Sequence, residues 1–335
     1  MTHSPLKVVI PMAGLGTRLR PHTWSKPKQL ISVAGKTVLD HVLGSLDSLP
    51  CQFELICIVG YLGEQIEEHI QEHYPNLRSH YIVQEDPRGQ SHAIKLAEEL
   101  LDGSLLIVFA DTLIYSDLSL LKEPATESVA WVKAVPDPRR FGVAIHNKDG
   151  WVTRLIEKPQ DMNNNLAVVG FYYFKEGKQL LSAIDEQIAR NIQLRGEFYL
   201  ADAINIMLEQ GLKMKTKEVE VWLDAGTSEA LLDTNRYLLD HGQDNTSEAA
   251  KRPGVVLFPP VFVHPTAQVH QSILGPYVSL GAGCIVESSI IRNSILEDEA
   301  QTSGVILESS LVGRRALLQR RAGVINAGDN TEITL

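Results

Sequence analysis

Residues 12 to 30 read MAGLGTRLRPHTWSKPKQL: two glycines, two arginines and two lysines, with no acid among them. The first acidic side chain of the chain is Asp40, although the whole carries a formal net charge of −10. Glycines let backbone N–H groups approach an anion closely and form a nest around it. Arg18 can fork onto phosphate oxygens, and Lys28 can act as a mobile point charge. A local cationic pocket in an acidic chain calls for a small, strongly anionic ligand. Nucleic acid would need a broad basic face instead. The turn fits neither familiar phosphate loop. Leu19 stands where the dinucleotide fingerprint needs its third glycine, and Thr17-Arg18 stands where a P-loop needs Lys-Ser/Thr.

Such a turn has to be presented by a scaffold, and the hydropathy pattern describes one. Apolar runs of strand length occur at 8–13, 55–60, 80–84, 105–111, 129–135, 143–146 and 168–174. Helix-period segments occupy 38–49, 63–73, 91–101, 177–190, 201–209 and 228–241. The alternation predicts an α/β fold, a Rossmann-like, mostly parallel mixed sheet with helices on both faces. Ligands of such sheets sit beyond the carboxyl ends of the strands, where the glycine turn also lies. After residue 241 the helix period vanishes. The polar stretch 242–254 reads as a linker. Branched aliphatics then recur about every sixth residue, as at Val263 and Val269, at Leu274, Leu280 and Val286, and at Ile306, Val312, Leu318 and Val324. That period predicts a short left-handed parallel β-helix over 255–335, with some five-residue steps; the alternative reading is an irregular β-sandwich.

At 335 residues, with 44% apolar and 21% charged side chains, the chain is expected to form two globular domains, 1–241 and 255–335. No secretory signal or membrane span is recognisable, so a cytoplasmic protein is expected. Cys51, Cys57 and Cys284 form no disulfide framework or metal-ligand spacing, and each is expected to be a small buried residue.

Gly14-x-Gly16-Thr17-Arg18-Leu19-x-Pro21, followed by Lys26-Pro27-Lys28-x-Leu30, resembles the sugar-phosphate nucleotidyltransferases, which make nucleotide sugars such as dTDP-glucose and UDP-glucose. The likeness runs over roughly 7–240, with Pro11 as one departure, where many members carry a small or aliphatic residue. It implies that Arg18 and Lys28 hold the β- and γ-phosphates, with Ala13, Gly14, Gly16 and Thr17 around the nucleotide. VQEDPRGQSHAI would supply Gln84 and Gly89 to the base. LLIVFAD and VWLDAGT would supply Asp111 and Asp224 to magnesium. Gly142, Glu157, Val168 and Glu197 would cradle the sugar, and Lys158 would steer its phosphate. Each residue also has a plainer reading: a cap for Asp111, a turn for Asp224, an ion pair with Glu157 for Lys158. The ordered set favours chemistry.

The implied reaction joins dTTP or UTP to a sugar-1-phosphate, glucose-1-phosphate being expected, by in-line loss of pyrophosphate with Mg²⁺. The attacking phosphate is already an anion, so no base is needed and His92 is read as structural. Two other readings stand beside this one. One is a regulatory protein that binds nucleotide sugar without turning it over, although the charged residues are all present. The other is a bifunctional enzyme with acyltransferase activity in the β-helix, where His264 and His270 are the available bases. Assembly or regulation is the expected role of the repeat, with a homo-oligomer expected and no nucleic-acid or membrane partner.

Overall fold

A computed structural model describes residues 5–123 and 126–320, the Lys122 side chain excepted. Val324 of the expected repeat lies outside the described residues. The chain divides into two compact units, 1–31 with 36–234, and 32–35 with 235–335.

The first unit is built on a nine-stranded mixed sheet. Strands β1 (Leu6–Pro11), β2 (Phe53–Val59), β3 (Ser79–Val83) and β4 (Leu105–Val108) are mutually parallel, in the order β4-β1-β2-β3. All but β3 are buried along most of their length, which accounts for their unbroken apolar runs. Strand β4 stops at Val108, so Asp111 sits in the turn before β5 (Thr112–Tyr115) rather than on the strand itself.

The antiparallel share of the sheet is concentrated beyond β4. Strands β6 (Ser128–Ala134), β7 (Gly142–His146), β8 (Val152–Glu157) and β9 (Leu166–Phe174) are joined by connections too short to carry crossover helices. β9 pairs antiparallel with β4, β6 and β7, and β7 with β8. Strand β10 (Met214–Glu218) lies parallel to β6 at an edge. Its sequence, MKTKE, is mostly polar, as suits an edge and as hides it from a hydropathy reading. Strand β11 (Val221–Asp224) pairs antiparallel with β5 in a separate ribbon.

The helices follow the expected segments: α1 (Val38–Ser45), α2 (Gly63–His73), α3 (Gln90–Leu96), α4 (Gly177–Ala189), α5 (Leu200–Glu209) and α6 (Ser228–Leu238). Ile94, Ile184 and Ile204 from three of these helices join Val9, Ile107 and Phe174 of the sheet in one apolar core.

In the second unit three stacks of four short parallel strands form a β-helix, consistent with the left-handed hexapeptide type. Strand partners are 17 residues apart in the first coil (Val255↔Ser272) and 16 in the last (Ile290↔Ile306). Each coil therefore falls short of three full hexapeptides, which explains the irregular period. Leu274, Leu280, Val286 and Ile291 fill the interior. The stretch read as a linker is ordered. It holds a short helix, Thr246–Ala249, and Asn245, whose side chain accepts from Val263 N at 2.8 Å and donates to Val263 O at 2.9 Å. Cys57 and Cys284 are buried, but Cys51 is exposed, contrary to expectation, because it lies in the loop before β2.

Candidate active site

The carboxyl ends of β1, β3 and β4 open on a cavity of about 390 Å³ in the first unit. At one side the glycine turn follows β1. Gly16 has φ +61°, and a Cβ there would stand 3.0 Å from Thr23 Cγ2 and 3.2 Å from Lys28 Cβ. Glycine suits both that left-handed backbone and that tight space, and the turn closes onto the stem of Lys28. Lys28 Nζ lies 2.5 Å from Asp111 Oδ2, and the Arg18 guanidinium lies 4.0 Å from the same oxygen.

Asp224 joins Asp111 through strand pairing. The β5–β11 register sets Asp224 opposite Thr112, and Ala225 N donates to Asp111 O at 2.9 Å. The two carboxylates respond differently to this shared site. Burial pushes Asp111 up, but the charge and hydrogen bond of Lys28, with Arg18 behind them, outweigh burial and hold it below its ordinary value. Asp224 is raised by burial and by the Asp111 charge, against a hydrogen bond from Gly226 N at 2.8 Å and the nearby Arg18 and Lys28. Two hard oxygen donors that repel one another fit a divalent cation. No group of three or more His, Cys, Asp or Glu suited to a metal occurs among the described residues. An ion here would therefore complete its shell from phosphate and water, which is how Mg²⁺ is usually held.

The far wall is polar in a different way. Gly142 and Glu157 are register partners on β7 and β8, and a Cβ on Gly142 would stand 3.2 Å from Glu157 Oε2. Burial raises Glu157 above its ordinary value, opposed by Lys158 and reinforced by the charges of Asp202 and Glu197. The register of β9 against β6 shifts between Val168 and Tyr172, and both residues line the cavity. Gln84, buried directly after β3, and Gly89 line the third side. At Gly89 φ is +95°, and a Cβ would come within 2.6 Å of the Phe198 backbone, so glycine is required.

Of the residues singled out from sequence, the cavity brings together Ala13, Gly14, Arg18, Lys28, Gln84, Gly89, Asp111, Gly142, Glu157, Val168, Glu197 and Asp224. It leaves three out. Gly16 and Thr17 shape the turn from behind. Lys158, at φ +49°, donates from Nζ to Tyr199 OH at 2.9 Å and lies 3.7 Å from Glu157. The observed geometry of Lys158 is thus that of the plainer reading, an ion-pair partner of Glu157. Sequence reasoning missed Gln29, Arg140 and Trp222, which also line the cavity. Trp222 was within reach: it precedes Asp224 by two and so shares its face of β11. Arg140 stands in an irregular loop with no periodic signal.

A chain-wide comparison bears on what this cavity is. Residues 7–241 match the family model described as nucleotidyl transferase. The chain belongs to that family. Among its relatives, a glucose-1-phosphate thymidylyltransferase of Streptomyces griseus is 28% identical over 334 residues, covering 92% of each chain. A UTP–glucose-1-phosphate uridylyltransferase of Haloferax volcanii is 29% identical over 253 residues, 73% of this nucleotidyltransferase and all of the relative. The solved structure of a UDP-glucose pyrophosphorylase complexed with UDP-glucose superposes with a TM-score of 0.63. It covers 71% of this chain and all of that one, and at 20% identity it speaks for the fold alone. No described helix of the nucleotidyltransferase is long and apolar enough to cross a membrane.

Proposed function

We propose that this nucleotidyltransferase joins UTP or dTTP to a sugar-1-phosphate, releasing pyrophosphate, in the cavity beyond β1, β3 and β4. One observation carries the reading. Two cations, Arg18 and Lys28, meet a carboxylate pair, Asp111 and Asp224, between a wall holding Gln84 and Gly89 and a wall holding Gly142 and Glu157. That is the charge pattern needed to bring two phosphate anions together between a base and a sugar.

Positioning and charge neutralisation are the main demands of such a reaction. Arg18 and Lys28 bind the outer phosphates and stabilise the departing pyrophosphate, Lys28 exchanging its Asp111 partner for phosphate oxygen. Asp111 and Asp224 would hold Mg²⁺, which when bound supplies further charge neutralisation on the triphosphate. Glu157 and Glu197 accept hydrogen bonds from sugar hydroxyls, and Lys158 leaves Tyr199 to orient the sugar phosphate. Gln84 and Gly89 meet the base, the amide of Gln84 having both a donor and an acceptor to offer. The enzyme is assigned to the cytoplasm, with residues 1–241 catalytic, 242–254 connecting and 255–335 assembling the protein into a homo-oligomer.

Support for assembly is a ladder on one outer stack of the β-helix. Val256, Ile273, Ile290 and Ile306 are successive register partners, and the outermost two are 52% and 72% exposed. A column of β-branched aliphatics, half-buried at Ile273 and Ile290 and exposed at its two ends, suits a second copy of itself. The acyltransferase reading finds less. His264 Nδ1 accepts from Thr266 N at 3.2 Å beside a cavity of only about 30 Å³, and His270 is exposed on a strand.

The test is pyrophosphate release from UTP, dTTP, CTP, ATP and GTP, each with several sugar-1-phosphates and Mg²⁺. Release is expected with UTP or dTTP. Binding of nucleotide sugar with no release from any pair would establish the regulatory reading instead, and a strong preference for ATP or GTP would overturn the pyrimidine assignment.

A further inference from the structure

Gln84 does not meet the cavity alone. Its Nε2 lies 2.9 Å from Nδ1 of His92, in the first turn of α3, and 3.5 Å from the Gly89 carbonyl oxygen. The carbonyl can only accept. A Gln84 oxygen turned towards it would face another oxygen, so the NH₂ group belongs on that side. Nδ1 of a neutral imidazole whose proton sits on Nε2 is a second acceptor for the same NH₂ group. Burial and the Arg88 charge lower the His92 pKa, against a smaller opposite effect of Asp86, which keeps the ring neutral and Nδ1 an acceptor. Both Gln84 donors are thereby turned to the protein, and Oε1 has no protein hydrogen-bond partner among the described residues.

We propose that His92 is a positioning residue for specificity: by accepting from Gln84 Nε2 it fixes Oε1, an acceptor, as the group the amide offers to the base. This rests on the reading of Gln84 as the base contact and makes it directional. An unrestrained amide would offer a donor and an acceptor together; in the structure the donors are already engaged. A lone acceptor suits the N3–H of uracil and thymine. It faces a lone pair on N3 of cytosine or N1 of adenine. Guanine also carries an N–H there, so against GTP it is the size of the purine that must discriminate. Without His92 only the long 3.5 Å contact to the Gly89 carbonyl restrains the amide, which can then rotate and offer NH₂ to cytosine.

The test compares kcat/KM for UTP and CTP, at a fixed sugar-1-phosphate, in the full-length chain and in His92→Ala, His92→Phe, His92→Asn and Gln84→Ala, with thermal melting of each. The wild type is expected to favour UTP by roughly tenfold to a hundredfold, the scale of one mispaired buried amide. His92→Ala and His92→Phe, which lack an acceptor, should bring the ratio close to one. His92→Asn should restore it, because the Asn Oδ1 can stand in for Nδ1. A purely structural His92 would change melting and overall rate but not the ratio. If Gln84→Ala abolishes the preference while His92→Ala or His92→Phe keeps it, the proposal is overturned and Gln84 remains the base contact. If Gln84→Ala also keeps the preference, Gln84 is not the base contact, and the proposal falls with it.

Discussion

Asp111 and Asp224 illustrate how a site can be poised at the scale of single residues. Their pKa values are pushed apart by the same neighbourhood, one lowered by Lys28 and one raised by burial and by its fellow carboxylate. A carboxyl whose pKa is raised on folding binds its proton more tightly in the native state, so stability falls as pH rises through that range. Asp224 therefore costs the fold some stability at neutral pH, a cost that its proposed role in holding a cation would account for. Changing it to Asn preserves an oxygen for the Gly226 N–H and removes the repulsion. The expected outcome of Asp224→Asn is unchanged or slightly raised melting temperature at pH 7. Turnover should fall roughly a hundred- to a thousandfold, the scale on which a single group aimed at developing charge acts. An aspartate that only forms a turn would show the opposite pair of results in melting and steady-state rates.

At the scale of elements, the junction of α1 and α2 is held by one carboxylate. Asp40 closes a capping box with Thr37, accepting from Thr37 N at 3.0 Å while Thr37 Oγ1 accepts from Asp40 N at 3.1 Å. Its other oxygen meets His69 Nε2 at 2.7 Å and accepts from Tyr74 OH at 3.0 Å. Burial pushes Asp40 up, but the hydrogen bonds and charge of His69, with those of Thr37, prevail and leave it well below the usual carboxylate range. The unfolded chain then binds the proton more readily than the native one. The contribution is complete above the unfolded value of about 4 and is lost as pH falls towards the folded one. Asp40→Asn is expected to cost about 1–2 kcal/mol at pH 7, read by denaturant unfolding, because a cap and a buried pair are both weakened. The gap to wild type should stay constant above the unfolded value of about 4 and narrow as pH falls below it towards the folded one.

The whole molecule is divided otherwise than the chain order suggests. Residues 32–35 belong to the second unit, where the fully buried Asn235 accepts from Ala34 N at 3.0 Å and Ser279 Oγ at 2.6 Å and donates to Tyr277 O at 3.2 Å. A chain ending after Arg252 keeps every proposed catalytic residue but strands that amide, at a cost of about 1–3 kcal/mol. It is expected to melt several degrees lower, to be monomeric, and to keep turnover at temperatures where it is folded. The double variant Val256→Glu/Ile306→Glu, on the exposed ends of the aliphatic ladder, should also be monomeric, with melting of the monomer unchanged. Light scattering with thermal melting separates the two effects, and a variant that stays oligomeric would remove the ladder from the interface.

Local pattern alone determined the elements and the chemistry they carry. The period of the apolar residues located seven strands of the sheet, six helices and the coil. The basic glycine turn called for phosphate before any fold was known. Polar or broken segments escaped, as the edge strand β10 did, because an edge needs no apolar run to announce it. What only the tertiary structure decided are the pairings between distant residues. Asp111 and Asp224 meet because β11 lies antiparallel to β5 across more than a hundred residues of chain, and Lys28 reaches Asp111 because β1 lies beside β4. The same holds for the tethering of Lys158 to Tyr199 and for the seating of 32–35 against Asn235. The reason is physical. Periodicity records which face of an element is buried, whereas strand order and register are settled by the packing of the whole sheet, which no local spacing encodes.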